Sequence, residues 1–226
     1  MSRRRGSNKT SSSKGRKAVQ FKDVIRSETE LRVIMGEAVH PAVVEKTLCQ
    51  LDRHCVDFIE RSPFVLISSA DAAGRMDISP KGDAPGFVKI VDAGTLIIPD
   101  RPGNQRFDTH RNILQNPQIG LIFLIPGKRE TLRVSGTAQI VRDPAVLENL
   151  AAQGKTPALA FAVRVEEAFM HCAKCMIRSN LWVPEAWPSL DGLATFAQAM
   201  KDAAAIPLPV SAVAALIEDD ETQRLY

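Results

Sequence analysis

Between Pro63 and Val165 the apolar residues come in short runs of strand length, each closed by turn-forming residues. Phe64-Val65-Leu66-Ile67-Ser68-Ser69 reads as one strand, ended by a turn over residues 71–74. Met76-Asp77-Ile78-Ser79 reads as its hairpin partner, followed by a loop over residues 81–86 that holds two glycines and a proline. Residues 95–99, 119–125, 131–141 and 159–165 predict further strands. Only short helices intervene, over residues 105–116 and from Asp143-Pro144 to about Gln153. Such a series does not build repeated βαβ units. It predicts a closed sheet or barrel, mainly β with flanking helices, in the α+β class.

The flanks are helical by pattern. After His40-Pro41, the residues Val43, Val44, Leu48, Leu51, Cys55, Phe58 and Ile59 recur at spacings of three and four. That spacing predicts one amphipathic helix over residues 41–60, with Pro41 in its first turn. A shorter helix is expected over residues 24–35 and another over residues 190–200. The chain of 226 residues suffices for one well-filled core.

Charge is unevenly placed. Residues 1–22 carry eight basic residues and no acid, which leaves 21 basic against 26 acidic residues in the rest. A basic, Ser- and Gly-rich tail on an acidic body reads as a disordered extension or a weak anion-binding arm, and gives no nucleic-acid surface. No apolar run approaches the roughly 18 residues of a membrane span, and none follows the basic residues as in a secretory signal. The expectation is a soluble, cytoplasmic protein without a membrane partner. Four cysteines in this length make no disulfide scaffold.

Three polar clusters carry the chemistry. In Ser79-Pro80-Lys81-Gly82-Asp83 a hydroxyl, an ammonium group and a permissive glycine backbone can converge on an anion, or form a surface turn. Asp100-Arg101-Pro102-Gly103-Asn104-Gln105-Arg106 leads into a helix bearing Arg111 and Asn112. Those arginines can fork onto phosphate oxygens, or pair with Asp100 and Asp108 in solvent. In the stretch from His171 to Trp182, Cys172 and Cys175 permit a redox pair or half of a zinc site. A zinc site would need two further ligands, and no metal is expected. Lys174 or Arg178 can meet a phosphate while the Trp182 indole covers an aromatic cofactor, or the segment packs as a helix through Ile177, Leu181 and Trp182. Nucleophile-elbow, metal-hydrolase and dinucleotide-binding glycine signatures are absent. No catalytic residue is nominated.

Six ordered blocks over roughly residues 40–190 resemble the pyridoxamine 5'-phosphate oxidase-like family, in an uncharacterised bacterial subgroup. They are Asp77-Ile78-Ser79-Pro80-Lys81-Gly82-Asp83, Ile98-Pro99-Asp100-Arg101-Pro102-Gly103-Asn104, Asn112-Ile113-Leu114-Gln115-Asn116-Pro117, Phe123-Leu124-Ile125-Pro126-Gly127, Glu130-Thr131-Leu132-Arg133-Val134, and His171-Cys172-Ala173-Lys174 with Arg178-Ser179 and Leu181-Trp182. The resemblance implies an FMN-binding split β-barrel over residues 23–200, with N-terminal helices and a peripheral segment from 201 to 226. It implies a homodimer with FMN in two clefts between subunits. Ser79, Lys81, Gly82, Arg106, Arg111, Asn112, Lys174, Arg178 and Trp182 are its cofactor-binding candidates. It further implies an FMN-dependent oxidoreductase acting on a small molecule, or alternatively a non-catalytic flavin-binding or sensing protein, or a haem-binding one. One departure stands out. Where the oxidase has Ser-Arg-Lys, this chain has Phe107, Asp108 and Thr109, so two cations are missing and pyridoxamine phosphate is not carried over as substrate.

Overall fold

The computed structural model describes residues 19–36 and 40–226, in two compact units that meet in sequence at His40 and Pro41. Most of the basic tail, residues 1–18, lies outside the described residues. In the first unit, helix α1 (Glu28–Met35) starts where the Ser27 hydroxyl accepts the Glu30 amide. That cap sets the start later than the apolar pattern suggests.

The second unit runs α2 (Pro41–Glu45), α3 (Arg53–Arg61), β1 (Phe64–Ala70), β2 (Met76–Gly82), β3 (Lys89–Asp92), β4 (Thr95–Pro99), α4 (Asp108–Gln115), β5 (Gln118–Leu124), β6 (Thr131–Val141), α5 (Pro144–Glu148), β7 (Ala160–His171), α6 (Lys174–Ser179), α7 (Phe196–Ala204) and α8 (Val210–Gln223). Its seven strands form one sheet in the order β2-β1-β5-β6-β7-β4-β3, antiparallel throughout. This is a sheet of split-barrel type with helices around it.

Alternation drives the curl. Val65 and Ile67 of β1, Ile119, Leu121 and Phe123 of β5, Leu132 and Val134 of β6, and Phe161, Val163 and Val165 of β7 all point into one core. Strand β4 is buried on both faces. Leu96 and Ile98 join that core, while Ile97 meets Leu147, Leu150 and Ala160 beneath α5. Its unbroken apolar sequence follows from that double burial.

Several segments of the second unit depart from the sequence reading. The expected helix over residues 41–60 is two helices, because Leu48 exchanges both backbone hydrogen bonds with Ala168 of β7, at 2.9 and 2.8 Å. Asp52 then restarts the chain as α3, its carboxylate accepting the Cys55 amide at 2.8 Å. Leu48 packs on the core from an extended segment and Leu51 is buried in it, which is why the helical spacing continued through the break. Strand β2 extends through Lys81 and Gly82, which were expected in a loop. Pro80 is tolerated because β2 is an edge strand. Strand β7 continues past Val165 through the charged Glu166 and Glu167 to His171, with a register shift opposite Ser135 and Gly136. Helix α7 begins at the Thr195 cap, later than residue 190.

All four cysteines are free, and only Cys55 is buried. Burial, helped by the hydrogen bond to Asp52, pushes its thiol up to about 11. It is therefore a small core residue and no nucleophile. Among the described residues no helix is long and apolar enough to cross a membrane.

Candidate functional site

Helix α4 packs against β1, β2 and β6 and fixes one wall of the site. The Asn112 amide donates to the Ser69 hydroxyl at 3.0 Å in the interior, which bolts α4 to β1. The Thr109 hydroxyl donates to Asp77 of β2 at 3.1 Å. Thus the first turn of α4 is held against the edge strand. A cleft of about 780 Å³ opens between them. That volume lies within the range of roughly 300–1,000 Å³ typical of small-molecule sites.

The cleft is lined on one side by Asp77, Ile78, Ser79, Pro80 and Lys81 of β2. Residues 100–110 supply the second side, and residues 155–158 with Arg224 and Tyr226 the third. The segment entering α4 is shaped by two non-glycine residues in the left-handed region, Gln105 at φ 55° and Phe107 at φ 58°. Each such residue costs about 1 kcal/mol or more. Arg106 stands between them, exposed, with its Nε donating to Asp108 at 2.6 Å.

The cations of the cleft differ in how firmly they are held. Arg101 donates from Nε to Asp83 at 2.7 Å and from Nη2 to the Leu150 carbonyl at 2.9 Å, and its guanidinium lies 5.6 Å from the Tyr226 ring centre. The Tyr226 hydroxyl donates to the other Asp83 oxygen at 2.7 Å. Burial alone would raise the Asp83 carboxyl. Hydrogen bonds from Tyr226, the Ala84 amide and Arg101 outweigh it and hold the group below its ordinary value. Arg101 is thus a structural tie at the cleft wall. Lys81 meets Asp100 at 3.3 Å and lies 5.7 Å from the centre of the buried Phe161 ring. Arg106 and Asp108 form a solvated pair, the kind that contributes little to stability. Lys81, Arg106 and Arg224, the last paired with Asp220 at 3.0 Å in solvent, are the cleft cations held only by an ion pair to a single carboxylate.

Of the candidates from sequence, Ser79, Lys81 and Arg106 line this cleft together. Gly82 follows Lys81 on β2 without lining it. Arg111 is exposed on α4, and Asn112 is buried on Ser69. Lys174, Arg178 and Trp182 lie past the far end of β7. The cleft is at the Ala160 end, where the Asp100 amide donates to the Leu159 carbonyl, and β7 then runs twelve residues to His171. At about 3.3 Å per residue that is on the order of 35 Å, and none of the three is among the residues that line the cleft. The Trp182 indole instead donates to the Lys128 carbonyl at 2.8 Å. Sequence reasoning missed Thr109, His110, Lys155, Arg224 and Tyr226 as cleft residues. Their place near the start of the expected helix, close after Arg106, was the one available signal for the first two. Residues 155–158 and 224–226 gave none.

The fold defines a split-barrel protein with an anion-friendly cleft at its edge strand. Residues 51–172 match the family model described as pyridoxamine 5'-phosphate oxidase, and the chain belongs to this family of flavin-binding split barrels. Among solved structures it is similar to HupZ of Group A Streptococcus, with 26% identity, covering 53% of this chain and 93% of that one at a TM-score of 0.44. It is similar to general stress protein 26 of Bacillus anthracis, with 10% identity, covering 51% and 89% at 0.40. An FMN-binding protein of Syntrophomonas wolfei shares 13% identity, covering 63% and 92% at 0.40. A comparison with curated proteins gives no match.

Proposed function

We propose that this chain is a flavin-binding protein that holds FMN by its phosphate between β2 and the start of α4. The observation that carries the reading is the meeting of Ser79, Lys81, Arg106 and Thr109 in one cleft of suitable volume. The donor set fits a phosphate: the cations Lys81 and Arg106 and the Ser79 hydroxyl, beside the opening amides of α4. Arg106 supplies a cation, which Phe107, Asp108 and Thr109 do not. Ile78 and Phe107, both exposed, offer apolar surface for a ring system at the same cleft. FMN, when bound, supplies redox chemistry. The chain's own residues bind and orient it.

Arg106→Ala is expected to weaken FMN about 10- to 100-fold, the range of a charge-assisted hydrogen bond. Riboflavin, which lacks the phosphate, should keep its affinity. Calorimetry with both ligands checks this, and equal losses would assign Arg106 to the fold.

An FMN-dependent oxidoreductase acting on a small molecule is the enzymatic form of this reading. The family's own description, an oxidase, supports it. Anaerobic mixing of the flavin-loaded protein with NADH or NADPH, then oxygen, separates it from a non-catalytic flavin binder. Turnover above that of free FMN is the enzymatic outcome.

The proposal extends to a homodimer. Across β2, β1 and β5 the outer sheet face aligns Pro80, Leu66 and Ile122, and beside them Gly82, Phe64 and Leu124. Met76, Ile78, Phe64 and Ile122 on this face are exposed. Apolar residues on an outer strand face favour a covering surface. A second copy could cover it and bring its Lys174, Arg178 and Trp182 to this cleft. Light scattering at micromolar concentration should give twice the chain mass of 24.7 kDa. A monomer with full FMN affinity would contradict the shared cleft.

A further inference from the structure

Helices α7 and α8 pack on each other and are only lightly joined to the sheet. Their two buried side chains, Ala197 and Val213, belong to neither apolar core of the sheet, and Phe196, Met200 and Leu216 stay exposed. Among the described residues, the hydrogen bonds that tie residues 196–226 to the rest of the unit all end on Tyr226. Its hydroxyl donates to Asp83 at 2.7 Å, its carbonyl accepts from Lys155 Nζ at 2.7 Å, and the Arg101 guanidinium lies 5.6 Å from its ring centre. Arg224 and Tyr226 also line the cleft. The other walls are held fast: β2 is paired with β1 along its length, and Thr109 and Asn112 fasten α4 to the sheet. Residues 224–226 are therefore the part of the wall that can leave without parting a strand pair. Residues 188–194, which precede the Thr195 cap, are exposed and hold no helix or strand, as a hinge requires.

We propose that the α7–α8 pair is a lid on the cleft, latched by Tyr226 on Asp83, and that a ligand enters and leaves when this latch opens. The ligand it gates rests on the FMN reading above. Opening does not strand a buried charge, because Asp83 keeps Arg101 and the Ala84 amide when Tyr226 departs. The tyrosine hydroxyl and the Lys155 ammonium both return to water, and little apolar surface is uncovered. Release therefore costs one hydrogen bond to a carboxylate, one to a carbonyl and the contact of the ring with Arg101. Such a local opening lies below global unfolding, as expected of an element that covers a binding site. Tyr226 is a positioning residue: it holds the wall in place through Asp83 and does not grip the phosphate.

Stopped-flow flavin fluorescence with FMN and the full-length protein gives the association and dissociation rate constants. Tyr226→Phe keeps the ring beside Arg101 and the Lys155 contact, and removes only the hydrogen bond to Asp83. A latch that does not touch the ligand, once weakened, raises the open fraction of free and loaded protein alike. Both rate constants should therefore rise about tenfold in Tyr226→Phe, the lower end of the range for a hydrogen bond to a charged group. Kd should stay within about twofold of the wild-type value. Tyr226→Ala should raise both rates further; should it not fold, Tyr226→Phe decides. Hydrogen exchange reads the latch without ligand. Helices of this length are marginal when detached, so amides of α8 should exchange faster in Tyr226→Phe while those of β5 and β6 keep their protection. Faster dissociation with unchanged association would make Tyr226 a ligand contact and overturn the proposal. Unchanged rates, α8 amides protected as in the wild type, or protection lost throughout the sheet would overturn it too; in each of these cases the FMN reading stands. A wild-type protein that takes up no FMN overturns both.

Discussion

Gly136→Ala is expected to destabilise the protein by about 3 kcal/mol or more, the upper end of the cost of overpacking a filled interior. A β-carbon at this position would overlap the Arg164 carbonyl oxygen, and the carbonyl carbon and the Glu166 amide stand within contact range behind it. Those atoms are backbone, so no side chain can rotate away. Gly136 sits where β6 and β7 shift register, and the missing β-carbon is what lets the β7 bulge close onto β6. Accommodating alanine means parting the longest strand pair of the sheet. For a domain of this size, with about 2–4 °C per kcal/mol, the midpoint of thermal unfolding should fall by roughly 6–12 °C. Gly120→Ala is the control, since its added carbon meets only the Ser68 side chain at an ordinary 3.5 Å.

Arg101→Met should cost about 2–3 kcal/mol, below the figure of roughly 3–5 kcal/mol for breaking a fully buried pair. The discount reflects what remains. Asp83, whose side chain is only 3% exposed, keeps the Tyr226 hydroxyl and the Ala84 amide. The effect is expected to depend on pH with a definite sign. The folded Asp83 carboxyl lies below its ordinary value, so its ionised form stabilises the fold. That contribution is full above the unfolded value of about 3.9 and is lost as pH falls through the lower folded value. Wild-type and Arg101→Met stabilities, from urea unfolding at pH 7, 5 and 3, should therefore converge as the solution is acidified. A constant gap at all three would assign the loss to packing of the arginine stem.

Much of this fold is legible because strand burial writes itself into sequence at period two. The runs at 95–99 and 131–141 have the bounds of β4 and β6. What escaped is tertiary in origin. Leu48 and Leu51 keep a helical spacing while the chain between α2 and α3 is extended, because burial selects apolar residues whichever backbone carries them. Glu166 and Glu167 look like a strand end, yet they face solvent from a long strand whose other face is covered. In the cleft, Ser79 and Lys81 could be found from their residue types in one polar cluster, although Lys81 was expected in a loop and lies on β2. Arg101 and Arg106 cannot be told apart by type, since only the fold gives Arg101 the buried Asp83 and leaves Arg106 in solvent. Tyr226 lies 143 residues from Asp83, its hydrogen-bond partner, and no local pattern marks that contact.

Titration of the purified full-length chain with FMN, followed by flavin fluorescence and calorimetry, tests the central claim most directly. The expected result is saturation at one FMN per chain with micromolar or tighter affinity. Riboflavin should bind at least about tenfold more weakly, since it forgoes the charged contacts of Lys81 and Arg106. Uptake of a deazaflavin or haem in place of FMN, or equal affinity for FMN and riboflavin, would contradict a phosphate-anchored flavin in the cleft between β2 and α4.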